Sequence, residues 1–306
     1  MNSGSHDSSE LRAAGPLDAE AETIRSRRPS ALSAPSAVAL LRRTARDSAL
    51  LLAVVLAAVL AFEVLFVRGV TDLSGDILEF WRRIPFVRRI LATVAGIDLS
   101  AEVSMSALVA LGMVAPFYLL ASWTFVIVTA LRFTVSELDR GTADLLLTLP
   151  LPRCSVYVCV SLVWVGGALL ISLTGWGGIA LGAALAQPAE PLKLQRLGMV
   201  VANFTALLLA VGGLAMLAGS VASRLGPALA IVLVVLLASF LLNFLEAFLP
   251  WVKRVGVLGV LHYYRPVEAV ASGRWPLRDI LALAGAGFVF WLTGLWYFSR
   301  RDIPSA

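Results

Sequence analysis

The chain has 306 residues, of which 59% are hydrophobic and 15% charged, with a mean hydropathy of +0.85. A soluble globular domain carries about 25% charged residues, so this composition excludes a domain solvated on all sides and makes lipid the expected solvent. The formal charge is +5, but its basic residues are scattered beside apolar segments, where they set topology, and do not form a nucleic-acid face.

In chain order, residues 1–36 are rich in Ser, Ala, Pro and charge and hold no apolar run. They read as a disordered tail, neither a signal peptide nor a first span. From Ala37 to Asp47 the chain is amphipathic, with Val38, Leu41 and Ala45 on one helical face and Arg42, Arg43 and Arg46 on the other. This pattern suits a short helix lying on the membrane surface.

Six long apolar segments follow: Ser48–Val67, Ser104–Leu131, Ser155–Ala186, Leu197–Val221, Pro227–Leu249 and Ile280–Phe298. About 20 helical residues cross a hydrocarbon core. The expected fold is therefore all-α and polytopic, with six transmembrane helices and an amphipathic entry helix. Pro116 is expected to kink the second span. The third, which contains Gly175, Gly177 and Gly178, is too short for two crossings and is read as one long or broken helix. An even number of spans puts both termini on one side. The basic residues divide almost evenly between the two sides. However, Arg42, Arg43 and Arg46 abut the first span, and Arg300 and Arg301 follow the last, which favours termini inside.

Two connections on the opposite side are more than simple loops. Ile84, Val87, Leu91 and Val94 have helical spacing among Arg82, Arg83, Arg88 and Arg89, as in an interfacial helix. Residues 250–276 mix apolar pieces with Trp251, Tyr263, Tyr264 and Trp275, and this stretch either stays at the headgroup level or dips into the membrane.

The remaining loop, "RFTVSELDRGTADLLLTLPLPR", runs from Arg132 to Arg153. Gly141 permits a bend, Thr142 is a good N-cap and Asp144 suits the positive end of a helix. Leu145, Leu146, Leu147 and Leu149 then form a short apolar helix stopped by Pro150 and Pro152. Such a helix either lies on the bilayer or docks in a partner's groove.

Glu137, Gly141, Thr142, Leu145–Leu147, Pro150 and Arg153 resemble the "E…GT…LL..P..R" signature of the ABC-2 type permease family. "HYYRPVEAVASGRW", a last span and "SRRDIP" resemble the C-terminus of the branch that includes permeases of copper-enzyme maturation and gliding motility systems. The resemblance covers residues 37–304, one transmembrane permease domain. It implies that the loop is a cytoplasmic coupling helix meeting a separate ATP-binding subunit through Leu145–Leu149, with Glu137 and Arg140 near the hinge. It also implies cytoplasmic termini, pairing with a second permease subunit, and a bacterial inner membrane. Export is expected over import on the same ground.

A P-loop needs a Gly-rich cradle followed by Lys and then Ser or Thr. The only lysines, Lys193 in "PLKLQ" and Lys253 in "WVKRV", do not fit, so any ATP hydrolysis is expected in a partner. No His/Cys cluster has metal-ligand spacing, and Cys154 and Cys159 read as small apolar fillers. No cofactor or catalytic residue is expected, and His262 with Glu268 is the one candidate acid–base pair. Within the spans, Glu63, Asn243 and Glu246 are candidates for a transport pathway. Both glutamates lie near span ends and are expected instead to reach the outer interface. Asn203 reads as an interhelical hydrogen-bonding group, and Gly178, Gly182, Gly212, Gly213 and Gly219 as close-packing positions. The alternatives to an ABC permease are a secondary transporter, which usually carries repeats and midplane charges, and a non-transporting membrane scaffold.

Overall fold

The computed structural model describes residues 34–83, 104–132, 153–246, 249 and 251–300. Its helices are α1 (Ala34–Arg83), α2 (Met105–Ala110), α3 (Pro116–Leu131), α4 (Arg153–Ala186), α5 (Leu194–Val221), α6 (Leu225–Leu245), α7 (Val252–Gly256), α8 (Pro266–Ser272) and α9 (Leu277–Arg300). Short 3-10 turns lie at Gly112–Val114 and Val260–Tyr263, and there is no strand among the described residues. Among the described residues, five helices are long and apolar enough to cross a membrane, or six if the bent pair α2–α3 is one span. The protein is an all-α polytopic membrane protein.

The exposed surface shows what solvates it. Leu50, Leu65, Val234, Leu237, Leu281 and Phe288 are each at least 58% exposed on α1, α6 and α9. Apolar belts of this size on several helices fit a hydrocarbon surround. The centre of the bundle is α5, whose most apolar stretch is 78% buried, against 22% for α1 and α6 and 17% for α9.

The entry segment departs from expectation. It is not a separate surface helix but the first part of α1, which continues without a break for 50 residues. No Gly or Pro lies between Ala37 and Arg68 to stop it. Its buried side also differs from the one expected. Val38 and Ala45 are exposed, while Leu40, Thr44 and Ser48 are buried and continue into Val55, Val59, Glu63 and Val67. One stripe at mostly four-residue steps thus joins entry and span. The expected interfacial helix at residues 84–94 falls outside the described residues, and Arg82 and Arg83, read as part of it, are the last residues of α1. Residues 1–33 of the expected tail also fall outside.

The second span breaks where Pro116 predicts. Ala115, forced away from helical dihedrals by the following proline, has φ −56° and ψ 136°, and α2–α3 bends by 46°. Every residue of α2 is buried. Its N-terminus is held by the Ser104 side chain, which accepts from Ala107 N at 3.3 Å, and by Glu190 Oε2, which accepts from Met105 N at 3.0 Å. The carboxylate complements the helix dipole. The third apolar segment is one unbroken helix, α4. The 250–276 connection folds back onto the bundle: Val252, Leu261, Tyr264, Val267 and Val270 are buried. Helix α8 ends at Gly273 in the left-handed region, φ 64°, where Arg196 Nη1 donates to the Val270 carbonyl at 3.2 Å.

The most extensive pairings are α5 with α9 and α1 with α4, and both use glycine. An added Cβ at Gly213 would run into the Gly287 carbonyl oxygen of α9. At Gly178 and Gly182 it would stand 2.9 Å from Glu63 Cβ and Val67 Cβ of α1 respectively. Backbone cannot yield as a side-chain tip can, so overpacking here costs toward the upper end of about 1–3 kcal/mol. Gly213→Ala is expected to lower the apparent Tm of the detergent-solubilised protein in a thermal-shift assay. Gly285→Ala on α9, where a Cβ would meet nothing within 4 Å, is expected to leave it unchanged or slightly raised.

Candidate functional site

The sequence candidates separate into three places. The first is the loop between α3 and α4. Glu137, Arg140, Gly141, Thr142, Leu145, Leu146, Leu147, Leu149 and Pro150 lie outside the described residues, and Arg153 is the first residue of α4. The loop's approach is visible in Arg132, whose Nη1 donates to the Asp47 carbonyl of α1 at 3.0 Å. The loop therefore leaves the bundle at the level where the arginine-flanked entry becomes the first span.

The second place surrounds Glu63. The expectation that this side chain reaches the interface is overturned: Glu63 is 0% exposed. The reason is the close α1–α4 approach at Gly178, together with the 3-10 turn on the other flank. There a Cβ at Gly112 would stand 3.0 Å from Glu63 Oε2 and 2.7 Å from Phe66 Cδ1. Neither carboxyl oxygen has a hydrogen-bond partner among the described residues. The neighbouring walls are aromatic. Phe66 and Phe62 stack at 5.7 Å, Phe62 meets Tyr118 at 6.5 Å, Tyr118 meets Phe204 at 4.8 Å, and Phe204 meets Tyr264 at 5.7 Å. This chain of rings crosses from α1 through α3 and α5 to the 250–276 connection.

Tyr264 closes that end. Its hydroxyl donates to the Met113 carbonyl at 3.1 Å. Burial, and after it the nearby Glu63 carboxyl, pushes the phenol well above its ordinary value, so it remains a neutral donor. Asn203 Nδ2 donates to the Tyr263 carbonyl at 3.1 Å. Asn203 thus ties α5 to the connection, rather than to another long helix as expected. Composition signals Tyr264 only as an interfacial aromatic; its role in covering the Glu63 region follows from the tertiary fold.

The third place is the far end of α6. Asn243 is half-buried, and Glu246 is 9% exposed. Glu246 turns toward the connection instead of the interface. Its Oε2 lies 3.1 Å from His262 Nδ1 and its Oε1 lies 3.5 Å from Arg265 Nη2. The expected pairing of His262 with Glu268 is replaced: Glu268 is 58% exposed and meets Arg265 Nη1 at 3.6 Å. Ser239 adds a further tie, accepting from Leu261 N at 3.1 Å. This cluster fastens the connection to α6, and its groups are engaged with one another rather than aimed into a cavity.

An apolar groove of about 390 Å³ lies between α4, α5 and α9, lined by Leu162, Trp164, Leu209, Gly287, Phe288 and Trp291 among others. Trp291 Nε1 donates to Ser161 Oγ at 2.8 Å, and the Tyr157 hydroxyl donates to the Trp291 carbonyl at 3.0 Å, while the buried Trp164 Nε1 has no partner among the described residues. No group of three or more metal-ligating side chains occurs among the described residues. Cys154 is exposed and Cys159 buried, and neither is in a disulfide.

A scan against protein-family models and a search of curated proteins each found no match to this chain.

The third place makes a quantitative contrast testable. Glu246→Ala leaves His262 without its carboxylate and Arg265 with only the exposed Glu268. It is expected to destabilise by about 1–3 kcal/mol, the cost of stranding buried polar groups. Glu268→Ala removes an exposed pair and is expected to change stability by no more than about 1 kcal/mol. Thermal unfolding of both variants in the same detergent reads the difference.

Proposed function

We propose that the chain is the membrane-spanning permease subunit of an ABC transporter, an exporter energised by a separate ATP-binding subunit that docks on the loop 132–153. The observation that carries the reading is the "ELDRGTADLLLTLPLPR" sequence within the connection between two spans, α3 and α4. A leucine-rich helix with a good N-cap and a proline stop is suited to lie in a partner's groove. Neither Lys193 nor Lys253 fits a P-loop, which supports placing the ATP hydrolysis of such a transporter in that partner.

The fold supplies a way to transmit the push. Helix α4 begins at the loop's last residue, Arg153, and runs 34 residues without interruption, about 50 Å. It packs along α1 at Gly178 and Gly182, near the opposite end. ATP-driven closure of two partner ATPases would move Leu145–Leu149. Through α4 that movement would reach the α1–α4 seam, and two permease subunits would rock to change access at their shared interface. The Arg132–Asp47 contact supports the loop and the entry to the first span lying on one side. The flanking arginines favour that side being cytoplasmic, and the resemblance to ABC-2 type permeases supports a bacterial inner membrane. A secondary transporter is the second reading, favoured by one observation: the fully buried Glu63 within a span.

Tagged purification from native membranes in mild detergent distinguishes them. An ATP-binding chain is expected to co-purify in roughly equal amount, and Leu145→Asp and Leu147→Asp are expected to lose it while staying folded and membrane-inserted. If no ATPase appears under conditions that preserve other such complexes, the permease reading fails and the secondary transporter replaces it.

A further inference from the structure

Glu63 has no role in the coupling reading, and its surroundings are unusual for a carboxyl. It is fully buried in a membrane span, and both oxygens lack a partner among the described residues. An ionised carboxylate in such a place is costly unless paired with a cation or well hydrogen-bonded. No ion pair to Glu63 is found among the described residues. Among the described residues, the titratable groups facing it are Tyr118 of α3 and Tyr264 of the connection. Helix α4 presents Gly178, the 3-10 turn presents Gly112, and α5 contributes Phe204 to the adjoining rings. None of these carries charge.

The packing also decides what the carboxyl can bind. Space beside Oε2 is so limited that one methyl on Gly112 would stand 3.0 Å from it, and one on Gly178 would stand 2.9 Å from Glu63 Cβ. A metal ion needs several oxygen ligands at about 2–2.6 Å, and a hydrated ion or an ammonium group needs more room still. A proton needs none.

We propose that Glu63 is a proton-binding site inside the membrane, holding its proton while α1 and α4 are closed and exchanging it when the glycine seam between them opens. The seam is the exchange route because Gly178 and Gly182 are where α4 lies against Glu63 and the turn of α1 that follows it. The site is independent of the energy source: it stands whether the chain is an ATP-driven permease or an ion-coupled carrier.

The test is infrared difference spectroscopy of the full chain in phosphatidylcholine nanodiscs, wild type against Glu63→Gln, over a pH series in H2O and in D2O. At neutral pH the wild type is expected to show a protonated-carboxyl C=O band that the variant lacks. That band is expected to shift in D2O and to give way to carboxylate bands as pH rises. Two results overturn the proposal: carboxylate bands at neutral pH, or a carboxyl band that neither shifts in D2O nor titrates before the protein unfolds. Should Glu63→Gln fail to fold, residue-specific carbodiimide labelling of the wild type decides. Dicyclohexylcarbodiimide adds the acid O–H across its C=N bond, and acyl migration from oxygen to nitrogen leaves a stable N-acylurea, read on the Glu63 peptide by mass spectrometry. Labelling that falls with rising pH upholds the site. An unlabelled Glu63 in mildly acid buffer, with the same peptide labelled after unfolding, overturns it.

Discussion

Helices in lipid gain little by hiding apolar side chains from one another, because the hydrocarbon is as apolar as they are. Association rests on close fit. Here the fit depends on places where one backbone touches another: Gly213 against the Gly287 carbonyl, and Gly178 and Gly182 against α1. The first joins α9 to the central α5. The second brings α4 onto α1, and with it Glu63 under cover. The burial of Glu63, whose carboxyl has no partner among the described residues, is thus a by-product of the same glycine contacts that assemble the bundle.

The two ends of the bundle divide the work. At the arginine-flanked end, α1 and α3 are tied by Arg132 and Asp47, beside the loop proposed to receive the energy input. At the other end, the 250–276 connection is fixed by Tyr264 to the Met113 carbonyl, by Asn203 to its backbone, and by Glu246 through His262 and Arg265. These bonds reach the second span, α5 and α6 from a single stretch of chain. That end is a fastened cap, whereas at Gly178 and Gly182 the α1–α4 seam is a close backbone packing contact.

Much of this was legible in the sequence, and what was not has physical reasons. Composition and apolar run lengths gave the spans, Pro116 gave the bend, and the GxxxG pair in α4 gave a close helix contact. The entry helix was misread as separate because arginines interleaved with apolar residues look interfacial. Only the tertiary stripe from Leu40 through Thr44 and Ser48 to Glu63 shows that it continues. Glu63 and Glu246 were expected at the interface because distance along a helix says nothing of what covers it. The cover comes from Gly112, Gly178 and Tyr264, distant in sequence. The His262–Glu246 pair likewise joins α6 to a 3-10 turn 16 residues on, a spacing that no local pattern marks.

The continuity of α1 fixes an angular relation between its two halves. Each residue turns a helix by about 100°, and no glycine or proline between Ala37 and Arg68 offers a swivel. The azimuth of Arg42, Arg43 and Arg46 at the membrane surface is therefore geared to that of Glu63 some 20 residues further along. Insertion or deletion of one residue near Ser48 would leave composition and apolar length almost untouched, yet it would force a choice. Either the arginines rotate away from their present azimuth, or the carboxyl swings out of its glycine-lined cover toward lipid. The chain tolerates changes of residue along this helix far better than changes of phase.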